Sequence, residues 1–228
     1  MRGWVSRPGR LRVERLDGTV LRAERYKPRY AVFDASALPD TGAGPPPRET
    51  EPVWDADGLV ARRPRHYVDH DPIHDTYTWA AMLDPVELAD GQDHARAGAA
   101  APPAAVTVDD LTVVDHHGRP AWEALVRPTP AYDPMCSCCP LLRSKEADDR
   151  EAESGGRAVP ATSPDFTYPN AHRVRLDVET GVCVDAEAIG GTPAGNGHEV
   201  VIEAIDEPMG QELFTPPIRW RLRRRRRR

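Results

Sequence analysis

Three times along this chain a glycine-bearing turn separates two short runs of β-branched or alternating residues, and this recurrence constrains the fold most. Residues 11–16 and 19–24 flank Asp17-Gly18, residues 111–115 and 121–127 flank His116-His117-Gly118-Arg119, and residues 174–178 and 182–188 flank Glu179-Thr180-Gly181. Glycine tolerates the positive φ that tight hairpin turns require, so each triplet reads as strand, turn, strand. Asp17-Gly18 reads as a two-residue type I′ connection. Alternation is cleanest in Arg173-Val174-Arg175-Leu176-Asp177-Val178, which puts apolar and charged side chains on opposite faces of a sheet. Further strands are expected at residues 30–34, 59–63 and 198–205, the last ended by Asp206-Glu207-Pro208.

One stretch departs from this period. From about residue 76 to 89, Trp79, Met82, Leu83 and Val86 fall at i, i+3, i+4 and i+7 and share one helical face. Pro85 interrupts it, while Asp84-Pro85-Val86-Glu87 also supplies a cap, a first-turn proline and a glutamate, so a kinked or two-piece helix is predicted. The expected class is therefore mainly β (α+β), a curved antiparallel sheet around a short kinked helical segment, in one domain over residues 1–220. Loops are expected near residues 35–52, which hold Gly44-Pro45-Pro46-Pro47, and 90–105, with a mobile charged insert at 144–163.

Charge narrows the partners. The net charge of −6 conceals a C-terminal concentration: Arg219, Arg221 and the run from Arg223 to Arg228 leave only 22 basic against 36 acidic residues elsewhere. So acidic a body repels phosphate backbones, and nucleic acid is not expected to bind its folded part; residues 221–228 read as a disordered tail. No run is long and apolar enough for a transmembrane segment, and Met1-Arg2-Gly3-Trp4-Val5-Ser6-Arg7-Pro8 lacks the apolar core of a secretory signal. The expectation is an unexported chain, or one of the cell envelope if its N-terminus is incomplete.

Late in the chain, Gly118-Arg119-Pro120-Ala121-Trp122, the run from Val174 to Gly181, Val200-Val201-Ile202-Glu203-Ala204-Ile205 and Glu212-Leu213-Phe214-Thr215-Pro216-Pro217 follow in order. This succession resembles the second half of the lipoprotein-carrier superfamily, which includes periplasmic lipoprotein carriers, sigma-factor regulatory proteins and mycobacterial lipid-binding lipoproteins. Residues 7–14 are similar to an early strand of that family, and 82–88 to its helix. The resemblance implies a half-barrel with an apolar cavity between sheet and helices that holds an acyl chain or other hydrophobic small molecule. It makes Trp79, Met82, Leu83, Trp122, Val174, Leu176 and Val178 the candidate ligand-binding residues. Without the resemblance, the same side chains read simply as core.

Candidate chemistry is confined to few places. Cys136-Ser137-Cys138-Cys139 sets three thiols within four residues, which could ligate a soft metal such as zinc, form a disulfide, with Cys183 one candidate partner, or remain reduced. The spacing is not that of a standard zinc knuckle, and adjacent cysteines do not readily share one ion. His66, His70 and His74 recur every four residues, but Pro72 disfavours the helix that would align them. His116 and His117, at a predicted turn, are expected to face solvent. No nucleophile elbow, phosphate loop or metalloprotease motif is present, so no catalytic residue and no cofactor beyond a possible zinc is expected. Two functions follow: a non-enzymatic protein that holds a hydrophobic ligand, or a regulatory or protein-interaction module with a metal- or redox-responsive cysteine cluster.

Overall fold

A computed structural model describes residues 1–6, 10–25, 53–54, 60–62, 74–89, 104–134, 136–159 and 163–215. The expected strand at 30–34, the proline-rich loop, His66, His70, most of the 90–105 loop and the arginine tail lie outside them. Among the described residues the protein is mainly β, with antiparallel sheets that do not close into a barrel. It divides into two compact units, one of Met1–Pro72 with Met209–Arg228, the other of Ile73–Pro208.

In the first unit, β1 (Arg2–Ser6), β2 (Arg10–Glu14) and β3 (Val20–Arg25) form an antiparallel sheet in sequence order. Leu11 and Val13 are buried between less buried Arg10, Arg12 and Glu14, as period-two alternation dictates. Phe214, on a 3₁₀ turn, joins this core: Arg10 stacks over its ring at 5.2 Å and Arg12 donates to the Leu213 carbonyl at 2.8 Å. The predicted hairpin is present, but its turn is wider than two residues. Arg15 N bonds to Thr19 O, and Gly18 alone in the turn takes positive φ, so the turn is not type I′. Two short strands, β4 (Val53–Trp54) and β5 (Val60–Arg62), pair with each other.

The second unit is a five-stranded meander of β6 (Val106–His116), β7 (Arg119–Pro128), β8 (Ala171–Asp177), β9 (Cys183–Ile189) and β10 (Gly197–Glu199). His117 and Gly118 both have positive φ, so the β6–β7 connection is the two-residue turn that keeps the strands' twist. The expected final strand over 198–205 shrinks to three residues. Beyond Val200, whose amide bonds Val184 O, the chain leaves the sheet edge, and Val201 is half exposed.

Helix α1 (Thr78–Leu83) and a 3₁₀ turn (Val86–Leu88) are separate pieces broken at Asp84-Pro85, as predicted. Met82 packs with Val126, Val174, Ala186 and Cys183, and Trp79, Leu83 and Leu176 lean on the same core. Register places Val174 opposite Ala124 and Ala186, so this is the apolar face of the sheet. The stretch 144–163, read from its composition as an irregular insert, instead holds helix α2 (Lys145–Glu153). Ser144 caps it by accepting from the Ala147 amide, and Glu146 and Asp148 place negative charge in its first turn. Asp148 is buried and accepts from Arg143, the Val159 amide and the Tyr168 hydroxyl, fixing the helix to the segments on either side.

Candidate functional site

On its opposite face the five-stranded sheet is charged. Arg175 reaches Glu123 at 2.6 Å and Asp185 at 3.3 Å, and Arg173 pairs with Glu187. His116 points to the same side, and its Nε2 donates to the Val200 carbonyl at 2.8 Å, while His117 reaches Glu199 at 2.9 Å. Since β6 and β10 are opposite edges, these bonds show the sheet curling over its charged face without a backbone ladder to close it. Arg173, Arg175, Asp185, Glu187, His198 and Glu199 line a hollow there of about 390 Å³. His116 is only 5% exposed, contrary to its expected place in solvent, because this curl covers it.

The residues that the family resemblance singled out separate. Trp79, Met82, Leu83, Val174 and Leu176 belong to or pack against one core cluster, Val178 is half-buried just beyond β8, and Trp122 is 43% exposed. Five of the seven thus lie in or against packed core, Trp122 stands at the surface, and the hollow described above lies on the charged face.

The cysteines converge instead. The Sγ atoms of Cys136 and Cys138 are 2.8 Å apart, those of Cys138 and Cys139 3.7 Å, and all three lie within 4.8 Å of one another. The Cys139 amide bonds back to the Cys136 carbonyl at 3.2 Å, and the turn so formed brings the side chains together. The loop's other polar groups are held outward. Thr78 of α1 donates to the Cys139 carbonyl at 2.8 Å, Arg143 to the Cys138 carbonyl at 2.8 Å, and Ser137 to Glu151 of α2 at 2.6 Å. Cys183 lies apart, buried in the core, with no disulfide. Burial pushes its thiol well up from the ordinary value, aided by the charge of Asp185.

The three clustered thiols are not equivalent. Burial works to raise the Cys136 thiol, but hydrogen bonds from the Cys138 and Cys139 thiols and amides outweigh it and hold it below the ordinary value. Its hydrogen bond to Cys136 and its burial push Cys138 up to about 12, while burial raises Cys139. The arrangement is one sulfur, that of Cys136, ringed by donors.

Directly after the loop lies a network of buried polar groups that the sequence reading did not single out. Glu87, only 3% exposed, accepts from the Tyr132 hydroxyl and from the Leu141 amide at 2.8 Å, and that hydroxyl accepts from the Leu142 amide at 3.1 Å. A glutamate beside Leu88 on an apolar helical face was the one visible signal. The network ties the 3₁₀ turn that follows α1 to the chain two residues past Cys139. Of the histidine triplet, His74 is described, stacked edge-on against Trp79 at 5.6 Å. His116, His117 and Glu199 also lie close enough to share an ion, but His116 Nε2 is already engaged by Val200 and the other two by each other.

Comparison with known proteins returns no matching family model, no matching curated protein and no matching solved structure. Among the described residues no helix is long and apolar enough to cross a membrane.

Proposed function

We propose that this chain is a non-enzymatic regulatory or protein-interaction module in which residues 136–139 form a reversible thiol switch. The observation that carries the reading is the 2.8 Å separation of the Cys136 and Cys138 sulfurs. A disulfide needs about 2.05 Å, so closure requires a movement of roughly 0.8 Å, within reach of side-chain rotation. A small-molecule disulfide serves as oxidant: one thiolate of the pair attacks it and expels one thiolate, and the second cysteine then attacks the mixed disulfide and expels the other. Two protein thiols lose two electrons and two protons, and the oxidant leaves as two thiols. The loop's anchors on α1 and α2 supply the means of transmission, and the acidic body favours a basic partner. Treating the full-length chain with oxidised glutathione and mapping the product tests this. A Cys136–Cys138 disulfide that dithiothreitol reverses is expected, and retention of all four thiols would refute it.

A second reading, a module that holds a hydrophobic chain, is favoured by one observation. Val108, Leu111, Val113 and Trp122 on the β6–β7 hairpin are 53%, 66%, 61% and 43% exposed, an apolar row on the surface. A fatty-acid probe that binds the parent and a Trp122→Ala, Val113→Asp variant equally well, or binds neither, would dismiss it.

A further inference from the structure

We infer that in the reduced chain Cys136, Cys138 and Cys139 together hold a single soft, thiophilic cation. This rests on the reading of residues 136–139 as the functional loop, and adds the ligand that loop takes. Thiolate sulfur selects soft ions such as Zn²⁺ and Cu⁺ over hard ones. With a metal–sulfur distance of about 2.3 Å, tetrahedral ligands stand about 3.8 Å apart, and the Cys138–Cys139 separation of 3.7 Å already meets that. The Cys136–Cys138 pair must open by roughly 1 Å, a change of the same size as the closure that makes the disulfide.

The surroundings fit thiolate ligands. The Arg143 guanidinium, on the Cys138 carbonyl, sets positive charge beside a site that carries three negative sulfurs. Because the loop's hydroxyl and carbonyl groups are engaged by Thr78, Arg143 and Glu151, the sulfurs can turn to the ion without breaking them. Cys138 is exposed, which gives the ion an entry path and leaves a fourth position for water or an exogenous ligand. Binding displaces the thiol protons, and disulfide formation removes two of the three ligands, so oxidation releases the ion.

The test is competition titration of the reduced full-length chain, with Zn²⁺ against a chromophoric chelator and Cu⁺ against a copper(I)-specific one. One equivalent of either ion bound is expected. Since loss of outer-shell contacts alone costs about 10- to 100-fold, Cys138→Ser and Cys139→Ser should each weaken binding by about 100-fold or more. Cys138 is exposed, so the first of these variants keeps its fold, checked by its melting curve. Binding of neither ion, or binding that both variants leave unchanged, overturns the inference. If the Cys136–Cys138 disulfide still forms in that case, the thiol-switch reading stands without the metal; if neither occurs, both fall.

Discussion

Removing the Tyr132 hydroxyl should cost this protein stability out of proportion to the single atom lost. Tyr132 is fully buried, and its hydroxyl donates to the Glu87 carboxylate while accepting from the Leu142 amide. Burial, then the nearby Glu87 charge, holds the phenol well above its ordinary pKa, so it is the neutral O–H that serves here. Tyr132→Phe keeps the ring and its packing but takes a donor from a buried carboxylate. A hydrogen bond to a charged group contributes about 1.5–3 kcal/mol, and stranding the Leu142 amide adds about 1 kcal/mol or more. The sum is about 3 kcal/mol, and for a chain of this size each kcal/mol lowers Tm by about 2–4 °C. Thermal unfolding followed by circular dichroism at neutral pH with reductant should show Tm lower by about 6–12 °C. A fall under about 2 °C would mean that the network does not fasten residues 141–142 to the 3₁₀ turn, and the coupling argued for the cysteine loop would lose its basis.

Three further outcomes follow from buried polar groups. Asp177 accepts from Arg119 at 2.7 and 3.0 Å and from the Thr180 amide and hydroxyl, which hold its carboxyl down at about 2. A carboxyl lowered on folding stabilises fully above the ordinary carboxylate range and loses that contribution as pH falls toward 2. Asp177→Asn should therefore melt lower than the parent at pH 7, by on the order of 2 kcal/mol, and the gap should narrow between pH 4 and 2. His172 is held down at about 4 by burial, with the Arg143 backbone partly opposing, so folding favours its neutral form. The parent should lose stability, up to about 3 kcal/mol, as pH falls from 6.5 to 4, and melts of His172→Leu should be flatter over that window. Ser144→Ala removes the α2 cap and should cost about 1 kcal/mol in a denaturant titration, with the Cys136–Cys138 pair still able to close.

Much of the scaffold was legible in the sequence because strand pairing and helix breaking are local matters. Gly118 and Gly181 marked their turns through a backbone freedom that any sequence shows, and Pro85 announced the break after α1. What failed was what depends on distant chain. His116 is buried by a strand edge more than 80 residues later in sequence, and α2 was hidden by a composition that Ser144 and an acidic first turn convert into a capped helix. The cysteine spacing could be seen, but not the convergence of its sulfurs. That follows from the Cys139-to-Cys136 backbone bond together with anchors on Thr78 and Glu151, and no spacing rule encodes those.

If residues 136–139 switch as proposed, the change is felt by the elements that hold them. Amide hydrogen exchange of the full-length chain, compared between its reduced and oxidised states, tests this most directly. Altered protection is expected at Leu141, Leu142 and Ala147 and along α1 from Trp79, with β7 and β8 unchanged. Differences confined to residues 136–139, or spread evenly over the sheet, would contradict it.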